Sequence, residues 1–131
     1  MEATCRAAQA LGLKRVGLFG TRFTMQARFY PEVFGRAGIT VVMPDPDDQD
    51  FIHDRYMSEL VEGVFRAETR ERLLAIGDGM TERDGIQGLI LGGTELPFIL
   101  RDIADRKIPY LDTTRIHVEE VVAQMLSGEA G

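Results

Sequence analysis

The sequence has one cysteine and two histidines. A lone Cys5 cannot close an internal disulfide or build a site from several thiolates, so a reducing cytoplasm is the expected location. Cys5 falls early in the amphipathic stretch "MEATCRAAQALGLKR", where it reads as a small helix residue better than as a nucleophile. No run approaches the roughly 20 apolar residues that a membrane span needs, and the opening residues do not read as a signal peptide. Basic blocks are missing too. With a net charge of −6, the clustered Lys and Arg of a nucleic-acid surface are excluded. The acidic run "PDPDDQD" (residues 44–50) lacks the glycine and terminal glutamate of an EF-hand loop. It reads as a solvated turn that opens a helix, and no metal site is expected. Internal repeats, low-complexity tracts and linkers are absent.

What is there is an ordinary globular composition, 44% apolar and 27% charged. At 131 residues the chain fits one α/β lobe, residues 1–131, with a real core. Four short apolar runs stand out: "RVGLF" (15–19), "ITVVM" (39–43), "GLILG" (88–92) and "IPYLD" (108–112). They are too short for helices and do not alternate polar with apolar, which predicts strands covered on both faces. Between them the spacing turns helical. In "FIHDRYMSELVEGVF" the apolar residues Phe51, Ile52, Tyr56, Leu60, Val61 and Val64 recur at steps of three and four. "TRERLLAIGDGM" and "IHVEEVVAQML" behave likewise, the last closed by Ser127 and Gly128. The order β-α-β-α-α-β-α-β-α predicts a doubly wound, flavodoxin-like lobe: a four-stranded parallel sheet of order 2-1-3-4 with helices on both faces.

Such sheets bind ligands where the strand order reverses, outside the carboxyl ends of the strands. For order 2-1-3-4 that point lies between the first and third strands. Their exit loops are "GTRFT" (20–24) and "GGTE" (92–95), both glycine-led and both carrying threonines. Gly92 and Gly93 let backbone approach a ligand, and Thr21, Thr24 and Thr94 offer hydroxyls to a carboxylate or phosphate. Thr24 and Thr94 also read as plain helix N-caps. "GTRFT" has the wrong glycine spacing for a dinucleotide fingerprint, and "GGTE" is no P-loop, so the loops suit a small anion and not a nucleotide.

"LDTTRIHVEE" (111–120) ends the fourth strand and opens the last helix, with Asp112 or Thr113 as its cap. His117 then sits about one turn inside, a possible base facing the loops, or a surface residue. His53 reads as a surface or core-edge residue. Arg22 and Arg115 lie near strand exits, where each suits either a substrate carboxylate or solvent.

Taken in order, "VGLFGTRFTMQARFY", "ELVEGVFRAETR", "GLILGGTELP" and "PYLDTTRIHVEEVVAQML" resemble the second half of the aspartate/glutamate racemase family, from about Glu2 to Leu126. These are amino-acid racemases that use no pyridoxal phosphate. The resemblance implies two similar lobes with the active site between them, and no cofactor. Each lobe supplies a cysteine; one thiolate removes the α-proton and the other thiol returns one from the opposite face. The family pattern here is Gly-Cys-Thr-Glu, so Gly93 stands where the second catalytic cysteine belongs. The first lobe is absent, and Cys5 aligns with neither thiol. What carries over is a binding scaffold: Thr21 and Thr24 on one loop, Gly92, Thr94 and Glu95 on the other, with Thr94 at the substrate α-carboxylate. His117 matches the family's "IH" position and is the one candidate substitute base.

Three readings follow. The chain is a racemase-family lobe, weak or inactive as a racemase on its own; or a non-catalytic module binding a small carboxylate, an amino acid or another small anion; or a fragment of a two-lobed racemase. A lobe built to face a partner is expected to cover that face by forming a homodimer or by associating with a complementary lobe.

Overall fold

In the computed structural model, which describes residues 2–101 and 106–130 with side chains through Ser127, the four apolar runs pair as parallel strands. They are β1 (Arg15–Phe19), β2 (Thr40–Val42), β3 (Gly88–Leu91) and β4 (Tyr110–Asp112). The sheet order is β2-β1-β3-β4, as the sequence predicts. Around it lie α1 (Glu2–Ala10), α2 (Arg22–Gln26), α3 (Phe29–Arg36), α4 (Pro46–Ser58), α5 (Ala67–Asp84), α6 (Leu96–Ile99) and α7 (Thr113–Ala130), with a 3-10 turn at Leu60–Glu62. Among the described residues no helix is long and apolar enough to cross a membrane.

The central strands owe their character to burial on both faces. Val16 and Leu18 of β1 join Ile90 of β3 and Leu111 of β4 in a core layer with Cys5, Ala8, Tyr30 and Phe34 from α1 and α3. Phe19, Leu89 and Leu91 point the other way, into a layer with Ile52 and Tyr56 of α4, Leu73, Ile76 and Met80 of α5, and Leu96 and Ile99 of α6. Each fully buried aliphatic side chain contributes about 1.5–3 kcal/mol, which favours apolar residues at Leu89, Ile90 and Leu91 of β3. Gly17 is the exception in β1, and a Cβ there would lie 2.9 Å from the Leu89 side chain.

The elements differ from the expected ones mainly at their ends. The fourth strand starts at Tyr110 and not at Ile108, because Pro109 has no N–H to give the ladder. The edge strand β2 is three residues long. Between β1 and β2 there are two helices in place of one. The acidic run opens α4 as expected, with Pro46 in the first turn and Asp47 and Asp48 beside it, where a helix favours negative charge. That helix stops at Ser58; Gly63, at φ 78°, turns the chain, which leaves Val61 and Val64 exposed despite their spacing. The last helix runs through Ser127 and Gly128 to Ala130.

Register levels the strand exits. Phe19 pairs with Leu91, and Leu91 with Asp112. The loops after β1, β3 and β4 therefore leave the sheet side by side.

Candidate functional site

The loops that follow β1 and β3 touch. The Gly92 N–H donates to the Phe19 carbonyl at 2.7 Å. A Cβ on Gly92 would lie 2.9 Å from that carbonyl oxygen and 3.2 Å from Thr24 Cγ2, and one on Gly20 would lie 3.0 Å from the Thr24 side chain. Only glycines permit this approach. Thr21 is the N-cap of α2, its hydroxyl accepting from the Thr24 N–H at 3.4 Å, and the two threonine hydroxyls are 3.3 Å apart. The capping roles open to Thr24 and Thr94 thus fall elsewhere: Thr21 caps α2, and Glu95 holds the cap position of α6.

Helix α4 completes the cluster with residues that sequence spacing marked only as core or surface. Asp50, His53 and Tyr56 recur every three residues and share one helix face. Asp50 pairs with the Arg22 guanidinium at 2.9 Å, and His53 Nδ1 accepts from the Arg22 backbone N–H at 3.0 Å. Tyr56 reaches furthest. Its hydroxyl donates to Glu95 Oε1 at 2.5 Å, and the Thr94 hydroxyl donates to the same oxygen at 2.7 Å.

Over Gly93 there is no free space. A Cβ built on Gly93 would collide with the Tyr56 hydroxyl and lie 2.9 Å from its Cζ and 3.0 Å from its Cε2. Tyr56 is 6% exposed. Burial first, then the bond to Glu95, pushes its phenol up to about 12, so it stays protonated near neutral pH. Glu95 moves the opposite way. The hydrogen bond from Tyr56 and then that from Thr94 hold its carboxyl below the ordinary glutamate range.

At the β4 exit Asp112 is the cap of α7, with Oδ1 accepting from the N–H groups of Thr114 at 3.0 Å and Arg115 at 3.1 Å. The Thr113 hydroxyl donates to the Leu91 carbonyl at 3.0 Å and ties this exit to that of β3. An open depression of about 400 Å³ lies beside Thr94, lined by Pro97, Phe98, Arg101, Asp112 and Thr114. His117 is exposed and lines a different groove, between α1 and α7, with Glu2, Arg6 and Glu120. Arg115 pairs with Glu119 in solvent. The fold therefore gathers Thr21, Thr24, Gly92, Gly93, Thr94 and Glu95 with His53 and Tyr56, and leaves His117 and Arg115 outside. Cys5 is buried against the opposite face of the sheet, where burial pushes its thiol up.

Two glycine-led loops thus meet at the reversal point of a parallel sheet in an α/β lobe, with Thr21 and Thr24 on one and Thr94 and Glu95 on the other. The chain belongs to the Asp/Glu/Hydantoin racemase family, whose pattern it matches over residues 1–121. It is 29% identical over 128 residues to the uncharacterized protein in the pnlA 3' region of Pectobacterium carotovorum subsp. carotovorum, covering 93% of this chain and 80% of that one. A Yersinia pestis protein provisionally called an Asp/Glu racemase superposes with a TM-score of 0.87 at 30% identity, covering 95% of this chain and 54% of that one. An aspartate racemase homologue from Pyrococcus horikoshii OT3 gives a TM-score of 0.87 at 28% identity, with coverage of 94% and 53%. The Picrophilus torridus aspartate racemase gives 0.67 at 25% identity, with coverage of 85% and 45%. The chain thus spans about half the length of the solved structures it resembles.

Proposed function

We propose that this racemase-family lobe binds a small amino acid or carboxylate at the β1 and β3 exits and does not racemise it unaided. Racemisation needs a proton-transferring group on each face of the substrate carbon, because a single base returns the proton where it came from. The observation that carries the reading is at position 93. Gly93 offers no group, and the space beside it holds a protonated phenol. Thr21 and Thr24 supply hydroxyls suited to a carboxylate, and Glu95 supplies an ionised acceptor suited to an ammonium group. An α-amino acid carries both groups. The lone buried Cys5 agrees with a cytoplasmic setting and leaves the site without a thiol.

Proton NMR with L- and D-aspartate and L- and D-glutamate in D₂O tests this. The α-proton signals are expected to persist at the rate of a protein-free control while binding perturbs the spectra. Exchange above that control would sink the proposal.

A second reading, completion of the site by another lobe, is supported by the half-length match to the solved structures and by one helix. Val118, Val121, Val122, Met125 and Leu126 leave an exposed apolar row along α7. Self-association is the expected way for an isolated chain to cover it. Light scattering after size exclusion should find a dimer or larger species, and a monomer at high concentration would count against this.

A further inference from the structure

We infer that Tyr56 takes the place of the missing side chain at position 93 and acts as the positioning residue for Glu95, fixing its carboxylate at the end of β3. The inference deepens the amino-acid-binding reading above and rests on it for the identity of the ligand group that Glu95 would meet.

Three observations converge. The first is spatial: any Cβ on Gly93 would overlap the Tyr56 hydroxyl and press on the ring. The phenol and the glycine are a fitted pair, because a side chain at 93 and this tyrosine orientation exclude each other. The second is the bond itself. Glu95 is half-buried at a loop, the setting in which a long carboxylate usually samples several rotamers. Here one oxygen takes two hydroxyl donors, Tyr56 at 2.5 Å and Thr94 at 2.7 Å. Thr94 is Glu95's chain neighbour on the same loop, so it cannot anchor that loop to anything else. Tyr56 can, because it comes from the last turn of α4 and its ring is held in the core. The third is rigidity behind the phenol. The ring is buried in the core layer with Phe19, Ile52, Leu91 and Leu96, and its own helix is tied to the β1 exit through His53 and Arg22.

The consequence concerns which ligand the site can hold. Both hydroxyl donors engage Oε1 and the backbone of Glu95 also supports the carboxylate, whose two oxygens still have lone pairs left to accept from a ligand. An ammonium group fits that vacancy of bonding, and a second carboxylate does not. Tyr56 thereby biases the β3 exit toward the amino end of an amino acid, and the threonines of the β1 exit remain for its carboxylate.

The test begins without ligand. In ¹³C-labelled protein the Glu95 carboxyl resonance, assigned with Glu95→Gln, is followed against pH. Tyr56→Phe keeps the ring and removes only the hydroxyl, and the Glu95 midpoint should rise toward the ordinary glutamate range with the amide spectrum otherwise native. An unchanged midpoint would overturn the positioning role, since a merely space-filling ring would not move it. The fit at position 93 is read by melting temperature. Gly93→Ala should lower it in the native background, and the loss should at least halve when Tyr56→Leu is also present. Equal losses in both backgrounds would overturn the pairing. Calorimetry with L-aspartate then separates this inference from the reading beneath it. Tyr56→Phe is expected to weaken binding roughly five- to tenfold, the scale of one hydrogen bond to a charged group. If the native chain binds no amino acid while the Glu95 midpoint still shifts, the binding reading falls and the placement of Tyr56 stands.

Discussion

The backbone N–H of Arg22 donates to His53 Nδ1 at 3.0 Å, which pins the middle of α4 to the first turn of α2. Among the first N–H groups of a helix, which have no partner within it, this one is taken by a side chain 31 positions further along the chain. His53→Ala should cost about 0.5–1.5 kcal/mol, because water can replace the exposed partner. Urea unfolding reads the loss, and the Arg22 amide resonance should move more than those elsewhere in α2.

Two glycines of α5 separate what a side chain costs from what it contributes. Gly79 has open space around it, so Gly79→Ala should stabilise the protein by about 0.5–1 kcal/mol through helix propensity alone. Gly77 lies under the Tyr110 hydroxyl, 2.7 Å from where its Cβ would be. There the same substitution should destabilise by about 1–3 kcal/mol. A pair of denaturation curves decides it, and equal effects at both positions would contradict the packing.

Glu59 is buried and accepts from Thr69 at 2.7 Å and Arg55 at 2.8 Å, with Arg66 at 3.5 Å. The Thr69 hydrogen bond, then those from the arginines against the cost of burial, hold its carboxyl below the ordinary 4.5. Its folded value lies below its unfolded one. The stability it contributes is therefore complete above the unfolded value and is lost as pH falls through the folded one. Glu59→Gln should cost about 1–3 kcal/mol at neutral pH, and the gap from the native protein should narrow on acidification. A gap constant from neutrality down to strong acid would refute the assignment.

Cys5 is 6% exposed, and burial pushes its thiol up while Arg6 only partly opposes this. Thiol reagents at neutral pH should find it inert in the folded protein and reactive in denaturant. Rapid modification of the native chain would mean that α1 opens readily.

The strand order was legible in the sequence because β1 and β3 are uninterrupted apolar runs, and their crossovers admit few layouts. From that order alone came the meeting of the "GTRFT" and "GGTE" loops. The place of Tyr56 beside Gly93 and Glu95 was not legible. Its spacing with Ile52 and Leu60 is that of any core-facing position, and what lies beyond its ring depends on a strand pairing dozens of residues away. His117 misled for the complementary reason: a place one turn into a helix sets height along the axis but not the face. The residue points toward α1 because Ile116, beside it, takes the position against the sheet.

The pairing of Val16 with Gly88 has a kinetic consequence. β1 can meet β2 across a short crossover, whereas β3 must close a loop that contains α2, α3, β2, α4 and α5. Contacts so distant in sequence form late, because the chain entropy of closure is spent before they give anything back. Both exit loops and the tyrosine between them come into register only at that step. A ligand of this site would then find nothing to hold during most of refolding; it would leave the folding limb of a chevron unmoved and slow only the unfolding limb.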